Sequence, residues 1–583
     1  MRRAGIVLAS LLVGIASAQS YVFLVSTDRD TLDPLQAYDQ ASGVVIENVY
    51  EGLFGYARDS AQELVPVLAT AYEVSDDGLT YTFHLREGVR FHSGNPFTCR
   101  DVEYTFERLL VVNPYDSPGW VMAETLIGTW DNADVTLGPD ASDDAYAAFW
   151  EQIARSVDCV DDMTAVFRLP RPDPTLIAKL AVPSYYVIDS AWAIAHGMWD
   201  GTEATWRDWV SVDLREHHLH DHMSGTGAYR LVAWVPGERL VAAAFPDYWG
   251  GAPAIEEVVY RIVDDKEEQL RAFLAGEVDR VSLVDRSDFP DLVGHPNVKV
   301  FDGGTDPSLG WASVGVWTLY FNQDIAAEDN DAVLHSGRLD GYGIPPDFFS
   351  DRHARNCFAF AFDPHELNEV ALDGLGTMLT MPLPPSFLGY DPEAPHHTLD
   401  LARAEEHCRQ AWDGRLWEHG MYVTLPYLEG IDISEQPARM LKRHLEALNP
   451  RFTVDLRPAS DSEYWPLAGA GKLPVDLAGW LAGFPDPHDF IHPFYASDGW
   501  FASQYGYSNP ELDALVEEAR THPDPARRAE LYARIARIGF EDAPFVVMPE
   551  PPVSLVIGSK VEGTYFNPML NGWFLWKDIR KAE

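Results

Sequence analysis

Apolar and polar residues change their spacing several times along this chain, and each change marks a different element. Leu79, Tyr81, Phe83 and Leu85 alternate with Thr80, Thr82 and His84. That is the two-residue period of a strand with one buried face, and Asp77-Gly78 ahead of it predicts a tight turn. Gly88 and Gly94-Asn95-Pro96 break the pattern, after which Val102, Phe106 and Leu109 take up helical spacing. Thr98 stands at the N-cap position, with Asp101 and Glu103 in the acidic first turn that a helix dipole favours.

A second block predicts strands over 228–235 and 240–245, joined across Pro236-Gly237-Glu238. Strands at 258–263 and 278–284 follow, with a helix at 267–274 between them. Strand, helix, strand is the unit of a parallel or mixed sheet, so the fold class is α/β. Further helices are expected near 352–362, 398–411, 434–448, 510–521 and 525–539. Between 303 and 347 the composition turns to Gly, Ser, Asp and Asn around Trp311, Trp317, Tyr320 and Phe321, which predicts a long, ordered surface excursion of unassigned role.

The chain opens with Met1-Arg2-Arg3, an apolar run over 6–15 and then Ala16-Ser17-Ala18. Charge, apolar segment and small-residue cleavage site are in secretory order, so 1–18 reads as a signal peptide and the mature chain begins at Gln19. The run is far shorter than the roughly 20 residues a bilayer span needs. No cysteine follows it to accept a lipid. The expectation is a periplasmic or secreted protein, soluble after cleavage and not lipid-anchored.

Composition narrows the partners. A chain of 583 residues implies two or three domains, and 46% hydrophobic residues with 18 Trp, 25 Tyr and 28 Phe can fill sizeable cores and still line a binding surface. Lys and Arg number 43 against 90 Asp and Glu, a net charge of −47 that repels polyanions and excludes nucleic acid as a partner. Four cysteines, Cys99, Cys159, Cys357 and Cys408, show no CxxC spacing. They read as disulfide candidates with three connectivities, of which proximity favours Cys99 with Cys159 and Cys357 with Cys408.

Catalytic signatures are missing. There is no GxSxG elbow, no HExxH and no phosphate loop, since Gly469-Ala470-Gly471-Lys472 lacks the required spacing and hydroxyl residue. A non-enzyme without cofactor is expected. Glu216-His217-His218-Leu219-His220-Asp221-His222 offers ligands to a borderline metal, but a solvated loop ahead of Gly225-Thr226-Gly227 is the favoured reading. The stretch from Trp480 to Pro487 follows an apolar strand at 475–478 as a loop, the place where α/β proteins hold ligands. Asp486, between two prolines, equally suits a turn.

These motifs together resemble a known family. Asp77-Gly78-Leu79-Thr80-Tyr81-Thr82-Phe83-His84-Leu85-Arg86-Glu87-Gly88-Val89-Arg90-Phe91-His92-Ser93-Gly94, continuing through Pro96-Phe97-Thr98 to Asp101-Val102, is similar to the signature of the peptide/nickel (oligopeptide/dipeptide-type, family 5) extracellular solute-binding proteins of ABC transporters. Gly225-Thr226-Gly227-Ala228-Tyr229-Arg230-Leu231, Pro246-Asp247-Tyr248-Trp249-Gly250-Gly251, Leu274-Ala275-Gly276-Glu277-Val278-Asp279 and Tyr507-Ser508-Asn509-Pro510-Glu511-Leu512-Asp513 resemble further family motifs, in the family's order.

The resemblance implies a two-lobed periplasmic-binding-protein fold (type II, cluster C-like) with an extra small domain inserted in the first lobe. Lobe I would comprise 19–48, 181–283 and 550–583, the extra domain 49–180 and lobe II 284–549. It also implies capture of a small solute between the lobes, delivery to ABC permease subunits, and action as a monomer.

Peptide-binding members place an Asp three residues after the Trp equivalent to Trp480, against the peptide's α-amino group. Gly483 stands there in this chain. Asp486 is the substitute if the loop shifts. The candidate binding set is therefore Trp480, Gly483, Phe484 and Asp486 from the second lobe, Tyr248 and Trp249 from the first, and Tyr115 or Trp120 from the extra domain. Tyr248 and Trp249 are equally candidates for the core. A peptide or peptide-sized solute is the leading ligand class, with an oligosaccharide as the alternative. Behind these stand a nickel carrier using His217, His218, His220 and His222, and an exported hydrolase.

Overall fold

A computed structural model describes residues 20–114, 117–303 and 315–582. The expected signal peptide, Tyr115 and Trp311 lie outside the described residues.

The largest sheet has seven strands and is built around the first of them. Ser20–Val25 pairs in parallel with Glu257–Ile262 on one side and Arg280–Val281 on the other. Arg239–Ala244 and Tyr229–Val235 extend the first side, and Ser554–Gly558 and Val298–Asp302 the second, all antiparallel. Helix Lys266–Leu274, capped by Asp265 on the Glu268 N–H, connects Glu257–Ile262 to Arg280–Val281. The expected strand at 278–284 shortens to Arg280–Val281, flanked by Asp279, whose N–H still donates to the Val22 carbonyl. Its carboxylate accepts from the Val22 N–H at 2.7 Å and pairs with Lys581 at 2.8 Å.

A four-stranded antiparallel layer carries Ala69–Val74, Thr80–Leu85, Thr164–Arg168 and Val157–Asp161. Tyr81, Phe83 and Leu85 are buried, as the alternation requires. Helix Cys99–Val112 covers the layer behind a capping box of Thr98 and Asp101. A Cys99–Cys159 disulfide joins the start of that helix to the edge strand.

A three-stranded antiparallel sheet has Gly315–Phe321 at its centre, flanked by Val475–Leu481 and Phe545–Val547. In the same part of the chain Met421–Leu428 and Phe452–Ala459 pair in parallel, with helix Asp432–Leu448 between them in sequence and packed on both. Helices Arg352–Ala359 and Leu401–Gln410 are joined by Cys357–Cys408.

Gly315–Phe321 corrects the sequence reading of 303–347. Trp317, Tyr320 and Phe321 do not belong to a surface excursion, since they lie with Val316 and Leu319 in the central strand of a sheet, where all but Trp317 are buried. A strand covered on both faces loses its alternation. Flanking Gly, Ser and Asp residues then hide it.

The buried apolar residues fall into separate clusters that match two lobes. One contains Tyr21, Phe83, Phe106, Tyr229 and Trp576, while others gather Leu319, Phe358 and Leu441, or Tyr320, Phe494 and Tyr532. The architecture is α/β and two-lobed, with the four-stranded layer as a small addition to the first lobe. Among the described residues no helix is long and apolar enough to cross a membrane.

Candidate functional site

The Val475–Leu481 strand ends over a cavity of about 640 Å³ whose opposite wall comes from the first lobe. That wall includes Gln40 and Ile46 of helix Gln40–Val49, Trp120 of helix Gly119–Ile127, Tyr185, and Met569 and Trp573 near the C-terminus. Trp480, Gly483 and Phe484 face them, so these three and Trp120 border one space.

Trp480 belongs to the strand, opposite Val316, rather than to the loop expected after residue 478. Its neighbour Gly479 faces Trp317, whose ring would stand 2.4 Å from any Cβ at 479. Only glycine lets that indole lie across the strand. Phe484 is buried in the first lobe's cluster although its chain segment belongs to the second. The Lys179 ammonium lies 5.0 Å from its ring centroid and is bonded to Asp173 at 2.9 Å and Thr125 at 2.7 Å. The lobes therefore meet at this ring.

Asp486 does not face the cavity. Its carboxylate takes both terminal nitrogens of Arg528, at 2.9 and 2.6 Å, and accepts from the His488 N–H at 2.9 Å. The carboxylate at the site is Asp489, in the first turn of helix His488–Tyr495. The turn of 484–487 folds the chain back, and Asp489 Oδ2 accepts from the Gly483 N–H at 2.6 Å. A Cβ at position 483 would sit 3.3 Å from Asp489 Oδ1. Asp489 thus lies beside the place a side chain at 483 would start from.

Asp489 is 5% exposed and no lysine or arginine among the described residues pairs with it. Burial pushes its carboxyl up to about 7, against backbone N–H groups of Gly483 and Phe484 that pull it down. Trp480 Nε1 approaches the same carboxylate without completing a hydrogen bond, and the Tyr56 hydroxyl in the same cavity is also buried without a partner. A second acidic residue, Asp39, uses one oxygen to cap helix Gln40–Val49.

Tyr248 and Trp249 serve the first lobe's interior. The Tyr248 hydroxyl donates to Glu51 Oε1 at 2.7 Å, and Trp249 Nε1 and Thr226 Oγ1 donate to Glu51 Oε2 at 2.7 and 2.9 Å. Gly225 lies so close to helix Gln40–Val49 that a Cβ would stand 2.0 Å from the Val49 carbonyl oxygen. Both motifs are structural braces.

The four histidines do not converge on one point, although His218 and His222 stack on each other. His217 packs on Trp209, His218 stacks between His196 and His222, and His220 Nδ1 meets Thr31 Oγ1 at 3.1 Å. Among the described residues no group of three or more His, Cys, Asp or Glu is arranged to hold a metal ion.

A sequence search anchored on position 483 misses Asp489, Tyr56, Tyr185 and Trp573. The available signal was Asp489 itself, one turn past Asp486 and at the start of a helix.

Residues 63–502 match the model of the bacterial extracellular solute-binding proteins, family 5 Middle. The chain belongs to this family. Across 97% of its length it is 24% identical to the glutathione-binding protein GsiB of Pectobacterium atrosepticum, covering 95% of that protein. It is 25% identical to di/tripeptide-binding protein 4 of Pseudomonas aeruginosa over 98% of this chain and 97% of the relative. The fold is shared with the periplasmic binding protein DppA of Helicobacter pylori, solved with the peptide STSA, at a TM-score of 0.70 and 21% identity over 97% and 98% of the two chains. These family 5 relatives are binding proteins.

Proposed function

We propose that this family 5 protein captures short peptides with a free α-amino group and delivers them to the membrane subunits of an ABC importer. Asp489 carries the reading, as a buried carboxylate with no cation partner at the end of an aromatic cavity. An ammonium group arriving there replaces lost hydration with a charged hydrogen bond, which is what an unpaired buried carboxylate lacks. Trp480, Phe484 and Trp120 supply apolar surface for side chains, and the hydrogen bonds of a peptide backbone can reach Gln40 and Asn571 on the same walls. Relatives named for glutathione and for di- and tripeptides support the class.

By this reading the first lobe takes 19–48, 181–283 and 550–583 and, beyond the expected crossing at 284, also Val298–Asp302, because that strand pairs with Ser554–Gly558 in its sheet; the second lobe runs from there to 549, hinged at the two crossings. The ligand favours the closed form because it touches both walls at once, and that differential affinity is the signal a permease reads. The protein would act as a cleaved, soluble, extracytoplasmic monomer without catalysis. Thermal-shift titration with di- to pentapeptides, their N-acetylated forms, and cello- and xylo-oligosaccharides tests it. Stabilisation by free-amine peptides and its loss on acetylation is the expected result. Stabilisation by oligosaccharides alone refutes it.

A further inference from the structure

The two lobes also touch outside the solute cavity, and there the touching groups are charged. Asp173 and Lys179 stand on the first-lobe side, in the stretch expected to form the extra domain, and the side chain of each is 1% exposed. The Asp173 carboxylate accepts from the Lys179 ammonium at 2.9 Å, from Thr125 Oγ1 at 2.9 Å and from Thr175 Oγ1 at 2.6 Å. A carboxylate so completed needs no further cation. One reaches it nonetheless from the second lobe, since Arg520 Nη1 lies 4.0 Å from the same carboxylate. The Arg520 side chain is 2% exposed there, although its own partner Glu517 is 56% exposed.

Two ring contacts cross the same seam. Phe484 of the second lobe lies over Lys179 and is buried in the first lobe's cluster. Trp130, which stacks at 5.4 Å on the cavity residue Trp120, meets the His492 ring at 5.1 Å. His492 belongs to helix His488–Tyr495, whose first turn presents Asp489 to the cavity and His488 to Lys179, Arg520 and Asp173. One helix of the second lobe therefore serves the cavity and the seam with consecutive residues. The balance of forces at the seam suits a contact that opens again. Burial of Phe484 and the pairing of Trp130 with His492 favour closure. The shared charges add little net attraction, because parting the lobes returns hydration to all three of them. Without the Asp173 charge the balance changes, since Lys179 and Arg520 would then be two buried cations with no carboxylate between them.

We propose that this seam is a closure latch, in which Asp173 is shared across the lobes between Lys179 and Arg520 and holds the closed form whether or not a solute is bound. Asp173, Lys179 and Arg520 do not border the cavity, so they act as positioning residues that set where the wall carrying Asp489 stands. The latch is independent of the solute's chemistry and stands apart from the peptide reading.

The test is small-angle X-ray scattering from the full mature protein without ligand. The wild type should scatter as the closed structure described above. Asp173→Asn keeps an acceptor for the Thr175 N–H, and its ratio of closed to open molecules should fall at least about a hundredfold, read as a larger radius of gyration. Arg520→Met leaves Lys179 and Asp173 matched and should keep the wild-type radius. A wild type that already scatters as an open form overturns the latch, and so does a wild-type radius in Asp173→Asn. Opening by Arg520→Met as far as by Asp173→Asn also overturns it, because the seam would then depend on packing of the long side chain and not on the shared charge. Should Asp173→Asn fail to fold, Arg520→Glu, which sets a second carboxylate against Asp173 from the other lobe, takes its place with the same expected shift. Each outcome is read without a solute, so failure of the peptide reading leaves the latch standing, and failure of the latch leaves peptide capture untouched.

Discussion

Lowering the pH should strip the ligand from the site through one residue. Burial holds the Asp489 carboxyl up to about 7 when the cavity has no cation in it. An ammonium ligand stabilises the ionised form and returns the carboxyl towards its ordinary value near 4, so binding releases a proton wherever the free site is protonated. The sign is fixed by this direction. Affinity is greatest between about pH 7 and 8, where the carboxylate is ionised and the amine still largely protonated, and is lost as the pH falls through about 7. About half of the free sites are ionised at pH 7 and about one in a hundred at pH 5, whereas the ligand's α-amine, with a value near 8, changes by only about a tenth. The dissociation constant of a free-amine peptide should therefore weaken about fiftyfold between pH 7 and pH 5. Isothermal titration in buffers of different ionisation enthalpy reads both the affinity and the protons released, about half a proton at pH 7 and close to one at pH 5. Asp489→Asn should bind at least about a hundredfold more weakly at pH 7, as loss of one member of a buried pair predicts, and show a flat profile. A wild-type change under about threefold, or an Asn variant that keeps the slope, refutes the reasoning.

Three other outcomes follow from the same geometry. Without ligand, Asp489→Asn should be at least as stable as the wild type at pH 8, because ionising a buried group displaced by about three units costs up to about 4 kcal/mol; a lower melting temperature would mark Asp489 as structural. Gly483→Asp sets a second carboxylate beside Asp489 and should move the pH midpoint of peptide binding above 7, measured by the same titration. Asp486→Asn strands Arg528 and should cost about 3 to 5 kcal/mol in denaturant unfolding, while the pH dependence of binding persists with its midpoint moved somewhat downward, because the Asp486 charge is among the groups that raise the Asp489 carboxyl.

Local features of this fold were legible wherever a single face is buried. Residues 80–85 form the strand that alternation predicts, and Thr98 opens its helix with the acidic partner that the sequence places there. Gly315–Phe321 was not legible, because burial on both sides erases the periodicity and a glycine-rich approach imitates a loop. The same limit misplaced Trp480 at a loop when it ends a strand. At the site, the aromatic wall was visible as residue types in one stretch. The charged groups were not. Asp489 reaches position 483 only through the turn of 484–487, and Asp486 is withdrawn by Arg528, forty-two residues away.

The strand Ser20–Val25 lies in the middle of the seven-stranded sheet, while Ser554–Gly558 comes from nearly the end of the chain and separates Arg280–Val281 from Val298–Asp302. No stretch of the emerging polypeptide can complete this layer on its own. The strand at 20–25 pairs with segments more than two hundred residues further on, and the layer is incomplete without 554–558. Closing loops of that length is slow. The seven-stranded layer is thus assembled from contacts between residues hundreds of positions apart, the part of the fold whose formation depends most on long-range closure.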